Sequence, residues 1–258
     1  MNGFDCPYLP AGWERRCITV RAASVARASR VPAMVASVIP AAYSLASCHS
    51  NAEAGMIGTE SMIPTTASMA ATARIPVGAS VAVVGLGGVG LMSLLAARAS
   101  SARQVIAIDM IDDKLKLAKQ LGATHTVNAK DKDAVEQVRA LSGGGVEYAF
   151  EMASSVRALE LAYKVTRRGG TTVTGSLPHP SHRFELPATN LVAEERTLKG
   201  SYIGSCVPAR DIPRFISLYQ QGLLPVDRLM SERIRLDDIN EGFDRLADGA
   251  SVRQILVP

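Results

Sequence analysis

A glycine-rich stretch, VAVVGLGGVGL at residues 81–91, constrains the fold of this chain more than any other feature. It places Gly85, Gly87 and Gly90 in the pattern G-x-G-x-x-G, directly after an apolar run typical of a buried strand. In this pattern the first glycine allows a tight turn, the second lets the backbone approach a pyrophosphate, and the third lets a helix pack closely on the strand. The free N–H groups at the start of that helix can bind phosphate oxygens. The stretch therefore predicts a dinucleotide-binding turn.

Apolar runs of the buried-strand type alternate with helical segments over residues 73–204. The alternation predicts βαβ units with right-handed crossovers, and therefore an α/β fold with a doubly wound parallel sheet of the Rossmann type. The predicted strands are 80–85, 104–109, 125–128, 146–151, 170–175 and 198–204, and the predicted helices are 91–98, 112–121, 131–141 and 155–165. The remaining part, 205–258, predicts helices at 211–221 and 236–248 and a last strand at 252–257.

Asp109 ends the second predicted strand, 24 residues after Gly85. A carboxylate at that place can accept a hydrogen bond from a ribose 2′-hydroxyl, and it would repel a 2′-phosphate. Met110 and Ile111 follow, without an arginine that could bind such a phosphate. The sequence therefore favours NAD over NADP. FAD uses the same glycine pattern, usually near the start of a chain, and is the less favoured alternative.

A series of ordered motifs covers the chain from about Thr72 to Pro258: ARIPVGASVAVVGLGGVGL, AIDMIDDKLKLAKQLGATHTVN, GGVEYAFE, RRGGTTVTGSLP, TLKGSYIG and DDINEGFDRLADGASVRQILV. In these motifs the chain resembles the zinc-type medium-chain alcohol dehydrogenases. Among them it is most similar to the branch of glutathione-dependent formaldehyde dehydrogenases and its bacterial relatives. The resemblance implies hydride transfer between NAD and an alcohol or aldehyde, and it implies that residues 205–258 return to pack on a catalytic domain.

The resemblance also implies cofactor-binding positions beyond Asp109. Val89 and the glycines of the turn, Gly88 among them, would line the pyrophosphate, and Lys114 would flank the adenosine. Met152 would lie near the nicotinamide ribose, and Ser176 and the backbone of Ile203 near the nicotinamide amide, while Arg253 would reach the pyrophosphate as a cation. Without the resemblance, Lys114 and Arg253 would be interpreted as solvated charges and Ser176 as a turn residue.

Residues Leu198–Gly204 form, in the resembled family, a strand that pairs with its symmetry mate. Such a contact continues the sheet across a twofold axis. A homodimer, or a dimer of dimers, is therefore implied. A net charge of +4 without a block of like charge predicts no nucleic-acid surface.

The family binds its catalytic zinc on an N-terminal domain, with two cysteines and a Gly-His-Glu segment. Zinc polarises the alcohol oxygen so that its proton leaves. No Gly-His-Glu occurs in this sequence, and the cysteines are scattered as Cys6, Cys17, Cys48 and Cys206. A site built from the first three cysteines and His49 is disfavoured, because it lacks ligand spacing. We therefore assign no metal ligand and no catalytic residue.

Residues 1–72 are poorly patterned, and we expect an atypical segment of low order. Residues 31–52 carry no charge, but Pro32 and Pro40 interrupt them, which disfavours a membrane span. The early arginines resemble a mitochondrial transit segment, although Asp5 and Glu14 oppose this interpretation. A foreign or frame-shifted start is a further hypothesis. We expect a cytoplasmic protein, because the cysteines form no disulfide framework.

Three functions remain open. The first is an NAD-dependent alcohol dehydrogenase, and the second is a non-catalytic NAD-binding fragment or pseudoenzyme. The third is a zinc-free reductase of the quinone or enoyl type. Without the family's catalytic domain, we expect the apolar residues Phe215, Leu218 and Tyr219 to be exposed.

Overall fold

The computed structural model describes residues 73–202 and 205–257. Six parallel strands form one sheet: β1 Ser80–Val84, β2 Gln104–Asp109, β3 His125–Asn128, β4 Val146–Glu151, β5 Thr166–Thr174 and β6 Thr197–Gly200. Their spatial order is β3-β2-β1-β4-β5-β6. This is the doubly wound order, in which the direction of winding reverses between β1 and β4. The predicted α/β fold is confirmed.

Helices connect the strands and cover both faces of the sheet. They are α1 Gly88–Ala99, α2 Asp112–Gln120, α3 Ala134–Ser142, α4 Val156–Val165, α5 Ala188–Ala193, α6 Pro208–Gln220 and α7 Ile239–Ala247. Two 3-10 turns lie at Val226–Leu229 and Leu236–Asp238. A second, two-stranded parallel sheet pairs β7 Glu232–Arg235 with β8 Gln254–Val257.

Alternate residues of β1 face two separate hydrophobic clusters. Val81 and Val83 join the cluster that α1 and α2 cover, whereas Ala82 and Val84 join the cluster that α3 and α4 cover. Successive strand residues point to opposite faces, so a strand covered on both sides must be apolar throughout. This explains why all five residues of β1 are buried, and why the run before the glycine turn is continuously apolar.

Several element bounds differ from those predicted. β5 begins at Thr166 instead of residue 170, because the Arg167 guanidinium pairs with Glu147 on β4 and the Gly169 amide donates to the carbonyl of Glu194. These contacts involve residues distant in the sequence, and the strand starts four residues before the predicted one. β6 ends at Gly200 in the described residues. The elements α5 and β7 were not predicted.

Helix α6 packs on the sheet domain, contrary to the expected exposure of its apolar face. Phe215 and Leu218 are half-buried and contact the cluster around α1, where Phe215 also lies against Ala96. Tyr219 is half-buried as well. The prediction that these three side chains would be exposed is wrong, because all three are half-buried, and Phe215 and Leu218 pack against the hydrophobic cluster that includes α1.

No helix in the described ranges is long and apolar enough to cross a membrane. The uncharged stretch 31–52 and the arginine-rich start both lie outside those ranges.

Candidate functional site

The turn after β1 has two positions that only glycine can fill. Gly85 has a φ of +90°, and a Cβ built on it would lie 2.8 Å from the Cβ of Ala153. A Cβ on Gly90 would lie 1.7 Å from the carbonyl oxygen of Gly85, so α1 crosses the end of β1 at backbone contact. The Gly85 amide donates to the carbonyl of Ile108 at 2.8 Å, which fixes the turn against β2. Positive φ and close approach are the two conditions that require glycine.

Open space lies in front of the first turn of α1. Gly87 is the N-cap of the helix, and a Cβ built on it would meet no atom of the described residues within 4 Å. The first N–H groups of an α-helix have no intrahelical partner and carry partial positive charge. Gly88 and the half-buried Val89 begin this turn, so their amides face the same end. The arrangement suits an anion such as a pyrophosphate.

Asp109 lies beside this turn, at the carboxyl end of β2. Its Oδ2 accepts a hydrogen bond from the Leu86 amide at 2.6 Å, and its Oδ1 accepts one from the Ile111 amide at 3.0 Å. The residue is half-buried. Each carboxylate oxygen has more than one lone pair, so Asp109 can hold the turn and still accept a hydrogen bond from a ribose hydroxyl.

Arg253 brings a cation to the start of α1 from the other end of the sequence. Its side chain is buried, and a Cβ built on Gly88 would lie 3.3 Å from its Nη2. Burial lowers the pKa of the guanidinium from its ordinary value, although an arginine remains charged in proteins. Arg253 precedes β8, whose pairing with β7 holds it in place. Arg253 is therefore not a solvent-exposed charge, which was the alternative interpretation from the sequence.

Lys114 lies in the first turn of α2 and is half-buried. A Cβ built on Gly249 would lie 3.4 Å from its Nζ and 3.1 Å from the Cδ1 of Ile111. Gly249 follows the C-terminus of α7. A cation is favoured near that end by the helix dipole. The structure thus places Lys114 on the Asp109 side of the cleft, between α2 and α7.

Met152 and Ser176 lie on the other side of the reversal point, after β4 and β5. Met152 is half-buried, and its amide donates to the carbonyl of Val84 at 2.8 Å. Ser176 is half-buried, and its hydroxyl donates to the carboxylate of Glu151. Ile203 lies outside the described residues. The structure brings the remaining ten predicted positions to the carboxyl ends of the strands or the elements that border them.

Glu151 is a polar residue at this cleft that the sequence analysis missed. It ends β4, and its side chain is among the most completely buried of the described residues. A carboxylate is costly to bury unless hydrogen bonds compensate. Its position at the end of the apolar run VEYAFE was the available signal.

The described residues include no group of three or more histidine, cysteine, aspartate or glutamate side chains that could hold a metal ion. Cys206 is a half-buried free thiol. Burial, followed by the charge of Asp211 and a hydrogen bond to it, raises the pKa of Cys206 to about 11. Cys206 belongs to no such metal-binding group among the described residues. Cys6, Cys17, Cys48 and His49 lie outside the described residues.

Comparison with known families decides the ancestry of this fold. The family model described as zinc-binding dehydrogenase matches residues 88–221, which is more than half of the chain. The chain belongs to the zinc-binding dehydrogenase family. The match begins inside the glycine turn and extends through α6, so it includes Asp109 and the ends of β4 and β5.

Plant alcohol dehydrogenases are among the relatives to which this chain is similar. Alcohol dehydrogenase 1 of Trifolium repens is 36% identical over 182 residues, which are 69% of this chain and 48% of that protein. Alcohol dehydrogenase 1 of Zea mays is 33% identical over 187 residues, 71% of this chain and 49% of that protein. The chain spans about half the length of these relatives. The resemblance to the formaldehyde dehydrogenase branch remains a prediction.

Solved structures of the family share the fold. Benzyl alcohol dehydrogenase from Acinetobacter calcoaceticus aligns with a TM-score of 0.74 and 31% identity, over 76% of this chain and 54% of that one. A protein from Sinorhizobium meliloti, described as a zinc-binding dehydrogenase and solved bound to NADP, aligns with a TM-score of 0.70 and 26% identity. This alignment covers 76% of this chain and 57% of the Sinorhizobium meliloti protein.

Proposed function

We propose that the described residues form the cofactor-binding part of an NAD-dependent alcohol dehydrogenase, which transfers hydride between the nicotinamide ring and a small-molecule alcohol or aldehyde. One observation carries this proposal. The glycine turn, whose Gly90 leaves no room for a side chain, is held by the Asp109 carboxylate at the reversal point of a doubly wound sheet. That point is where such sheets bind dinucleotides.

The roles of the chain's own residues follow from their positions. The amides at the start of α1 and the guanidinium of Arg253 would bind the pyrophosphate, because both present positive charge to the same opening. Asp109 and Lys114 would bind the adenosine half. Met152 and Ser176 would line the nicotinamide half, and the family resemblance implies that Ile203, which lies outside the described residues, joins them. These groups bind and orient the cofactor, and orientation of reacting atoms is itself a large part of catalysis.

NAD is the preferred cofactor in this proposal. The Asp109 carboxylate would repel the 2′-phosphate of NADP, and the exposed Met110 and Ile111 that follow it bring no compensating cation. The NADP in the Sinorhizobium meliloti structure belongs to that protein. For this chain, the preference for NAD over NADP is supported by the carboxylate of Asp109 at the end of β2.

A homodimer is also proposed, as the resemblance implied. In the described part of the chain, β6 is one of the two outer strands of the sheet, next to β5, and β3 is the other. An outer strand offers its backbone groups to a strand from another chain. Pairing of β6 with the same strand of a second copy would continue the sheet through a twofold contact. The cytoplasmic localisation remains a prediction.

A second candidate is a non-catalytic NAD-binding chain. This candidate is favoured by the pattern of metal-binding residue types in the chain. The sequence contains no Gly-His-Glu segment, and no group of metal-binding side chains occurs in residues 73–202 and 205–257. The described residues therefore do not fit the zinc that activates the alcohol in the family, and we derive no step through that metal.

The test is an activity assay on the full chain with its metal content measured in the same sample. NADH formation from NAD and primary or secondary alcohols would be followed by absorbance, with the Gly87→Ala variant as the control for cofactor dependence. Alcohol-dependent NADH formation that this variant loses supports the dehydrogenase. NAD binding without turnover and without zinc supports the non-catalytic chain. Absence of NAD binding contradicts both.

A further inference from the structure

The Glu151 carboxylate accepts three hydrogen bonds at the end of β4. Its Oε1 accepts from the amide of Ala153 at 2.7 Å. Its Oε2 accepts from the hydroxyl of Thr174 at 2.7 Å and from the hydroxyl of Ser176. The residue is 1% exposed. Both oxygens act only as acceptors, the pattern expected of a carboxylate, and these bonds compensate for its removal from water.

Glu151 lies in the half of the cleft opposite Asp109. β4 pairs with β1 on one side and with β5 on the other, and Glu151 is the register partner of Thr174. A dinucleotide crosses a doubly wound sheet at its reversal point, with one nucleotide on each half. Asp109 marks the half of the adenosine ribose. The ends of β4 and β5 therefore receive the nicotinamide nucleotide.

One side chain thus joins the two loops that would flank the nicotinamide. Through the Ala153 amide, Glu151 fixes the turn after β4, which lies against Gly85 of the glycine turn. Through the Ser176 hydroxyl, it fixes the segment that follows β5. Because the carboxylate is buried beneath these loops, it sets their spacing without itself reaching the open cleft.

We propose that Glu151 is a positioning residue for the nicotinamide half of the cofactor, acting through Ala153 and Ser176. This inference rests on the proposed binding of NAD. It has an electrostatic consequence, since the oxidised nicotinamide ring carries a positive charge and the reduced ring does not. A buried negative charge below that half favours the oxidised cofactor, because it is screened less than an exposed charge.

The test is a Glu151→Gln variant of the full chain. Glutamine keeps the size of the side chain, but its NH2 group cannot accept a hydrogen bond, so at least one of the three donors loses its partner. Dissociation constants would be measured for NAD, NADH and ADP-ribose. We expect NAD to bind about tenfold more weakly, as one unpaired buried donor predicts. ADP-ribose, which lacks nicotinamide, should change by less than about twofold, and the preference should shift towards NADH.

Glu147→Gln is the matched control. Glu147 lies on the same strand, at the opposite end, and also accepts from an amide and a hydroxyl, those of Ser80, at 2.7 and 3.1 Å. This variant should lose stability without changing the ratio of NAD to ADP-ribose affinity. If Glu151→Gln does not fold, Thr174→Val removes one donor alone. It should shift the same ratio in the same direction, by a smaller factor.

Equal weakening of NAD and ADP-ribose, or no change in either, would overturn the role of Glu151. So would a Glu147→Gln variant with the same shifted ratio, because the effect would then be general loss of structure. An unchanged ratio in Thr174→Val would overturn it if the glutamine variant does not fold. Failure of the parent chain to bind either ligand would instead refute the proposed function on which the inference rests.

Discussion

The carboxylate of Asp109 and the amide of Leu86 are joined by a hydrogen bond of 2.6 Å. This bond ties the carboxyl end of β2 to the turn after β1, two strands whose register pairs Val84 with Ile108. The turn is therefore held in its shape by the same carboxylate that is proposed to select the cofactor. If that proposal holds, NAD binding and discrimination against NADP both depend on Asp109, and a substitution at this position should change both.

Asp109→Asn tests whether the negative charge of Asp109 contributes to NAD binding and to discrimination against NADP. The amide oxygen can still accept from Leu86, but the negative charge is lost. We expect NAD to bind about tenfold more weakly, and the discrimination against NADP to fall by a similar factor, because like-charge repulsion with the 2′-phosphate disappears. Dissociation constants for both cofactors check this. Asp113→Asn, a carboxylate 87% exposed and paired with Lys116, is the control that should change neither. Undiminished discrimination in Asp109→Asn would exclude the proposed role.

Gly90→Ala and Gly87→Ala should separate folding from binding. The alanine Cβ at position 90 would overlap the Gly85 carbonyl, so we expect a loss of about 3 kcal/mol in the free energy of unfolding. At position 87 the Cβ enters open space, and stability should change by less than about 1 kcal/mol. NAD affinity should nevertheless fall, since that space is where the pyrophosphate approaches. Denaturant unfolding and NAD titration give the two quantities. A Gly87→Ala variant with full affinity would contradict the proposed binding mode.

Arg253→Met tests the buried cation beside α1. Methionine fills similar space without charge, so the contact with a pyrophosphate is lost while packing remains. We expect NAD affinity to fall about tenfold and to depend less on salt concentration. Calorimetric titrations at low and high salt measure both effects. Arg233→Met, an exposed arginine on β7, should retain the parent's affinity and salt dependence. Equal behaviour of the two variants would argue against a role for Arg253.

Asp211 should make stability depend on acidity. Its carboxylate accepts hydrogen bonds from Arg210, from the Val207 amide and from Arg214. The Arg210 side chain first, and the Val207 amide next, hold the pKa of Asp211 well below its usual range. A lowered folded-state pKa contributes stability that is complete above the unfolded value and is lost as the pH falls through the folded value.

Asp211→Asn should therefore destabilise the protein at about pH 7 and have a smaller effect at about pH 3, where the unfolded carboxyl is largely protonated. Free energies of unfolding of parent and variant at both pH values provide the measurement. Asp237→Asn, which alters an exposed carboxylate, is the control. A destabilisation by Asp211→Asn that is independent of pH would show that the carboxylate charge is not the cause.

The centre of the sheet could be predicted because β1 and β2 are buried on both faces and almost continuously apolar. The bounds of β2, β3 and β4 agree with those read from the sequence, and Asp109 contacts the glycine turn after β1. Such features are local: a continuous apolar run, a glycine requirement, a carboxylate at a strand end. Their meaning does not depend on knowing the distant parts of the chain.

The features that escaped prediction depend on distant contacts. The hydrogen bonds of the Glu151 carboxylate involve hydroxyls 23 and 25 residues further along the chain. The early start of β5 depends on Glu147 and Glu194, and the burial of Phe215 depends on Ala96. The charged segment ERIR forms the strand β7 because it pairs with β8, which lies some twenty residues later in the sequence. No local pattern could have indicated these partners.

The most direct test of the central claim is a calorimetric titration of the folded, full 258-residue chain with NAD. We expect saturable binding at one site per chain, and weaker binding in Gly87→Ala although that variant keeps its stability. A folded chain that gives no binding heat with NAD and does not change NADH fluorescence would contradict the proposed cofactor site. The glycine turn, Asp109 and Arg253 would then not bind a dinucleotide in this chain.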